Sequence, residues 1–127
     1  MNEVFVPPIL VVSAKWETRT LLVAQIGETV ERNVISAAGV NEALGLIKLG
    51  GIDPALMVVD TGQQISVGDV ERLIEAKRGT PVVLVVSRLR REAFQELRGS
   101  AAAILARPVS IGRIAQTVNQ VLKESTQ

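Results

Sequence analysis

The chain of 127 residues contains no cysteine and no histidine. Those two absences exclude disulfides, thiol catalysis, zinc sites built on Cys or His, and a histidine general base. They also exclude a role as a histidine phosphodonor. A cysteine-free composition is compatible with a reducing, cytoplasmic setting. Tyrosine is absent as well, and the aromatics are Phe5, Trp16 and Phe94 alone. Rings scattered so far apart offer no platform for stacking nucleic-acid bases.

Neither sign of charge dominates: 14 Lys and Arg stand against 13 Asp and Glu. No global field draws the protein onto nucleic acid or an anionic membrane, and neither is expected as a direct partner. No apolar run approaches the roughly 20 residues a membrane span needs. The first residues, Met1 to Pro8, lack the basic start and apolar stretch of a secretory signal. Length and apolar content predict one domain over 1–127, with its core between about 8 and 124.

What is present is an alternation. Ile9 to Val12 is a short, β-branched run suited to a strand buried on both faces. Trp16 to about Arg32 carries Thr18, Leu22, Ile26 and Val30 at helical spacing. A second, weaker strand covers Asn33 to Ala38. A helix from Glu42 to Leu49 is stopped by Gly50 and Gly51. Asp53-Pro54 leads in extended form to a third strand, Ala55 to Asp60. A polar loop and a charged helix from about Asp69 to Arg78 follow.

The most hydrophobic strand, Val82 to Val86, ends at Ser87, which is predicted to cap the next helix. That helix should run from Arg88 to Arg98 with Leu89, Ala93, Phe94 and Leu97 on its inner side. Arg88, Arg90 and Arg91 read as a solvated helix face or a partner surface, and the Glu residues alternating with Arg further along imply small local ion pairs. A fifth strand covers Ala101 to Ala106. Ser110 should cap a last helix whose stripe is Ile111, Ile114, Ala115, Val118, Val121 and Leu122. Strands alternating with helices in this way call for a parallel sheet, right-handed crossovers and helices on both faces.

Asp60 is the informative residue. A lone carboxylate at the C-terminal end of a buried parallel strand points into the crevice where open α/β sheets bind ligands. The earlier run, Ile9 to Val12, ends instead in Ser13 and Ala14. A phosphate-cradle or flavin reading is disfavoured. Gly50 and Gly51 lie at the other end of the sheet, and the loop after the first strand has no glycine.

From Pro8 to about Leu122 the chain resembles the receiver domains of two-component response regulators. Asp60 takes the family's phospho-acceptor position and Ser87 that of the hydroxyl residue that contacts the phosphoryl group. Arg107 replaces a lysine, and Pro108 matches the proline that follows it through a cis peptide. Gly68, Arg19 and Glu42-Ala43-Leu44 match further family marks. The resemblance implies a flavodoxin-like (βα)5 three-layer sandwich with strand order 2-1-3-4-5. Ser13, Ala14, Asp60, Ser87 and Arg107 would then meet at one end of the sheet.

The departures concentrate at the chemistry. Ser13 and Ala14 stand where the family has the acid pair that holds Mg²⁺, which neutralises and orients the anions of phosphoryl transfer. Gln63 and Gln64 replace a common Met-Pro, Arg88 replaces a small residue, and Ile104 replaces a switching aromatic. The resemblance thus implies a pseudo-receiver: a signal-transduction module, not an enzyme, without cofactor, that works by protein–protein contact independently of phosphorylation. Arg107 or Arg88 would neutralise Asp60 internally.

The alternative is a working receiver phosphorylated on Asp60 by a cognate histidine kinase. Ser87 and Arg107 would then bind the phosphoryl group, Mg²⁺ would be required, and Glu17 would partly replace the missing acids. Expected partners are a kinase, an output domain or another signalling protein. Family members also commonly form homodimers through the last two helices and the fifth strand.

Overall fold

Along the central strands, alternate side chains feed two separate cores. In the computed structural model, which describes residues 6–125, the elements run β1 (Ile9–Ser13), α1 (Trp16–Val30), β2 (Val34–Ala37), α2 (Val40–Lys48) and β3 (Leu56–Asp60). They continue with α3 (Val67–Ala76), β4 (Val82–Val86), α4 (Arg91–Phe94), β5 (Ala103–Ala106) and α5 (Ile111–Ser125). The five strands are parallel in the order β2-β1-β3-β4-β5, as predicted.

Leu10, Val12, Met57, Val59, Leu84 and Val86 pack against the α2–α4 side. Ile9, Val11, Leu56, Val58, Val83 and Val85 pack against α1 and α5. This is the period of two expected of a strand, with both faces covered by helices. Every residue of β1, β3 and β4 is buried, and each such aliphatic contributes about 1.5–3 kcal/mol on burial.

The helix ends follow local chemistry. Gly50 and Gly51 stop α2 as expected: Gly51 adopts φ +67°, and a Cβ on Gly50 would meet the Leu46 carbonyl oxygen at 2.7 Å. Ser110 caps α5, its Oγ accepting from the Arg113 amide at 3.0 Å. Helix α3 begins at Val67, two residues before the predicted start. Ser66 Oγ accepts from the Asp69 amide at 3.1 Å, and Asp69 accepts from the Ser66 amide at 3.0 Å. This reciprocal box fixes the end of the helix.

The predicted helix over Arg88–Arg98 is corrected. The segment is a 3₁₀ turn at Arg88–Arg90, one α-turn at Arg91–Phe94 and a second 3₁₀ turn at Gln95–Leu97. Only Phe94 and Leu97 are buried, while Ala93 is exposed and Leu89 is 97% exposed. An inward pair three residues apart suits three residues per turn, and no continuous apolar stripe remains to hold a long α-helix. Arg90 also pulls the segment toward the β3–α3 loop. It donates to the Gly62 and Ile65 carbonyls at 2.7 Å each and lies 5.1 Å over the Phe94 ring.

Candidate functional site

The alternation that divides the core also builds the site. Ser13 and Asp60 continue the phase of the α1–α5 face, and they are direct register partners across β1 and β3. One residue past the last β4–β5 pair, Val86 with Ala106, stand Ser87 and Arg107. Arg107 is followed by Pro108 through a cis peptide, as the resemblance implied. These strand ends meet in a crevice of about 250 Å³ at the C-terminal end of the sheet. Asp60, Ser87, Arg107 and Ala14 line it, together with Lys15, Thr18, Gly62, Gln63 and Gln64.

Asp60 is 7% exposed and Ser13 is fully buried. Ser13 Oγ donates to Asp60 Oδ2 at 3.0 Å. Arg107 Nη2 lies 3.2 Å from Asp60 Oδ1, close enough for an ion pair, but the N–H is not aligned for a hydrogen bond. Oδ1 therefore has electrostatic compensation and no hydrogen-bond donor. A buried acceptor in that state is costly, by about 1–3 kcal/mol. Arg19 fixes the end of β1 from the next turn, its Nη1 donating to the Ser13 carbonyl at 2.8 Å.

Of the two arginines expected near the acid, only Arg107 reaches it. Arg88 is exposed on the 3₁₀ turn and forms no ion pair among the described residues. Ser87 occupies the cap position, but its hydroxyl makes no capping bond. The 3₁₀ turn closes through the backbone instead, with the Arg90 amide donating to the Ser87 carbonyl at 3.0 Å. Glu17 is exposed in the first turn of α1 and does not line the crevice. Ile104 is half-buried and packs on the α2–α4 core.

Two roles escaped the sequence reading, and Arg90, expected on a solvated face, is half-buried. Lys15 brings a second cation to the crevice. Its proximity to the Ser13-Ala14 position was the available signal. Arg90 ties the loop after Asp60 to the 3₁₀ turn, and no local pattern marks that long-range role.

No protein-family model matches the sequence, and no curated protein matches it. Solved structures match it in shape. A response regulator receiver domain protein from Clostridium thermocellum superposes with a TM-score of 0.79 at 12% identity, covering 95% of this chain and 98% of that one. This chain has the receiver fold. A LuxR family DNA-binding response regulator from Silicibacter pomeroyi gives 0.75 at 16% identity, over 94% of this chain and 92% of that chain. An adenylate cyclase from Rhodopirellula baltica gives 0.83 at 15%, over 95% and 90%.

The receiver fold raises the question of Mg²⁺, and the residues at its site do not fit the ion. Hard cations need several oxygen ligands, preferably charged. Ala14 has no donor atom. The Ser13 hydroxyl already donates to Asp60, and Arg107 faces the remaining carboxylate oxygen. Among the described residues no group of three His, Cys, Asp or Glu is gathered for a metal. None of their helices is long and apolar enough to cross a membrane.

Proposed function

We propose that the chain is a receiver-like signal-transduction module, a non-enzymatic pseudo-receiver that works through protein–protein contact without phosphorylation. The observation that carries this reading is the double engagement of Asp60. Ser13 donates to one carboxylate oxygen and the Arg107 guanidinium stands 3.2 Å from the other. An acceptor carboxylate attacks phosphorus with an oxygen lone pair and needs a cation to offset the incoming negative charge. In this chain both oxygens face the fold's own groups, and the metal donors are missing. The internal ion pair holds one conformation of the β1, β3 and β5 ends.

Partner contact has surfaces available on this reading. Leu89 is 97% exposed, with the exposed Arg88 and Arg91 on either side of it, and β5 is a half-exposed edge strand beside α5. A kinase, an output domain or a second copy would dock there.

A second reading has one observation in its favour. The Ser87 hydroxyl makes no cap bond and lines the same crevice as Asp60 and Arg107, as a phosphoryl contact would. In that case Asp60 is a working acceptor. Incubation with acetyl phosphate and Mg²⁺, followed by intact-mass measurement, separates the two. The pseudo-receiver stays unmodified, whereas a mass increase of one phosphoryl group that is lost in Asp60→Asn would establish the acceptor.

A further inference from the structure

β5 has an open flank. It is the last strand of the sheet and pairs with β4 alone. Half of its amides and carbonyls therefore face away from the ladder, and no loop or helix backbone hydrogen-bonds to it from that side among the described residues. A cavity of about 350 Å³ opens beside the start of the strand. Arg91, Gln95 and Arg98, at helical spacing, line it together with the methyl side chains of Ala101 to Ala103. Arg91 and Arg98 are exposed and form no ion pair among the described residues. Glu92 and Glu96, the acids of the same segment, do not line the cavity. The cleft is thus basic with no counter-charge of its own.

We infer that this cleft docks an extended, acidic segment of a partner protein, which adds to the β5 edge as a further strand while its carboxylates meet Arg91 and Arg98. The two guanidinium groups select the sign of the partner, and the small alanine side chains let its backbone approach the edge. A second copy of this chain is the poorer occupant. The stretch from Ser100 to Val109 contains Arg107 and no acid, so two-fold pairing of β5 edges would set a basic strand against a basic strand. Nucleic acid is also the poorer occupant, because it cannot extend a β-ladder and no aromatic lines the cleft for base stacking. The inference rests on the reading of the chain as a module that works through protein contact, and it names the chemistry of that contact.

The test is an amide NMR titration of the full chain with an acetylated heptapeptide that alternates glutamate and valine. Saturable shifts are expected at Arg91, Gln95, Arg98 and along Ala101 to Ala106, weakening as NaCl is raised. Arg98→Glu, an exposed substitution, should weaken binding about tenfold or more, through loss of a charge-assisted contact and a new repulsion. Lys48→Glu, the same charge reversal on α2, should leave it unchanged. A lysine–valine heptapeptide should not bind. Nor should the fully N-methylated glutamate–valine peptide, which keeps its charge but has no amide to donate to the edge. The inference is overturned if no saturable shifts appear, if Lys48→Glu weakens binding as much as Arg98→Glu, or if the N-methylated peptide binds equally well. It is also overturned if an oligothymidylate binds the same residues as tightly, which would make the cleft a polyanion site. Shifts along β5 that follow protein concentration without peptide would make a second copy the occupant and overturn it likewise. Peptide binding that appears only after treatment with acetyl phosphate and Mg²⁺ would instead overturn the pseudo-receiver reading and leave the docking surface in place.

Discussion

Ser13 and Asp60 are register partners at the ends of β1 and β3, and the Ser13 hydroxyl donates to Asp60 Oδ2 at 3.0 Å. A carboxylate at position 13 would face Asp60 at the same register and need a cation between them. Serine turns that repulsion into a hydrogen bond.

Ser13→Ala removes the donor and leaves Oδ2 without it. A buried acceptor on a charged group should cost about 1–3 kcal/mol, read by urea denaturation. Ser13→Asp should also destabilise the fold in EDTA, but Mg²⁺ should recover part of the loss. Wild-type stability should not respond to Mg²⁺.

Arg107→Ala tests the ion pair. Removing one partner of a fully buried pair costs about 3–5 kcal/mol. The Arg107 side chain is 36% exposed, and solvent screening reduces the expected loss to about 1–2 kcal/mol. Asp60→Asn combined with Arg107→Ala should cost less than the sum of the single changes, because the two groups act on each other.

The capping box of α3 makes its N-terminus sensitive to acid. The Ser66 amide lowers the Asp69 carboxyl below the usual carboxylate value; burial opposes it, and the Ser66 hydroxyl and Arg72 add smaller lowering effects. A lowered folded-state value means the stabilisation is present above the unfolded value and is lost as pH falls through the folded one. Amide exchange at Ser66 and Asp69 should therefore rise on acidification below the ordinary carboxylate range. Ser66→Ala should cost about 1 kcal/mol at neutral pH.

The corrected α4 segment gives two opposite outcomes within six residues. Leu89 is 97% exposed, so Leu89→Ser should change stability by no more than about 0.5 kcal/mol. Phe94 is fully buried, and Phe94→Ala should cost about 3–5 kcal/mol. A continuous amphipathic helix would have made both costly. Thermal or urea denaturation of the two variants checks the assignment.

The legible parts of this protein were those written locally. Ile9–Val12 and Val82–Val86 are unbroken apolar runs, and their lengths leave little choice but buried strands. Gly50-Gly51 and Ser110 mark helix ends through their own backbone and side-chain chemistry. The Ser66–Asp69 box was equally local, and its Ser-x-x-Asp spacing was the overlooked signal. Around α4, Leu89, Ala93, Phe94 and Leu97 mimic a helical stripe. Only tertiary packing reveals that the first two face solvent, while Arg90 draws the chain toward the loop after Asp60. At the site, strand-end positions single out Asp60, Ser87 and Arg107, and all three line one crevice. The choice of Arg107 over Arg88 as the partner of Asp60, and the presence of Lys15, depend on distances between elements that no spacing along the chain encodes.

The most direct test of the central claim is a titration with Mg²⁺ and fluoroberyllate, a mimic of an acyl phosphate, followed by amide NMR. The account predicts no saturable metal-dependent shifts at Asp60, Ser87 and Arg107 in a well-folded sample. Saturable shifts clustered at those residues would contradict it and make Asp60 a working switch.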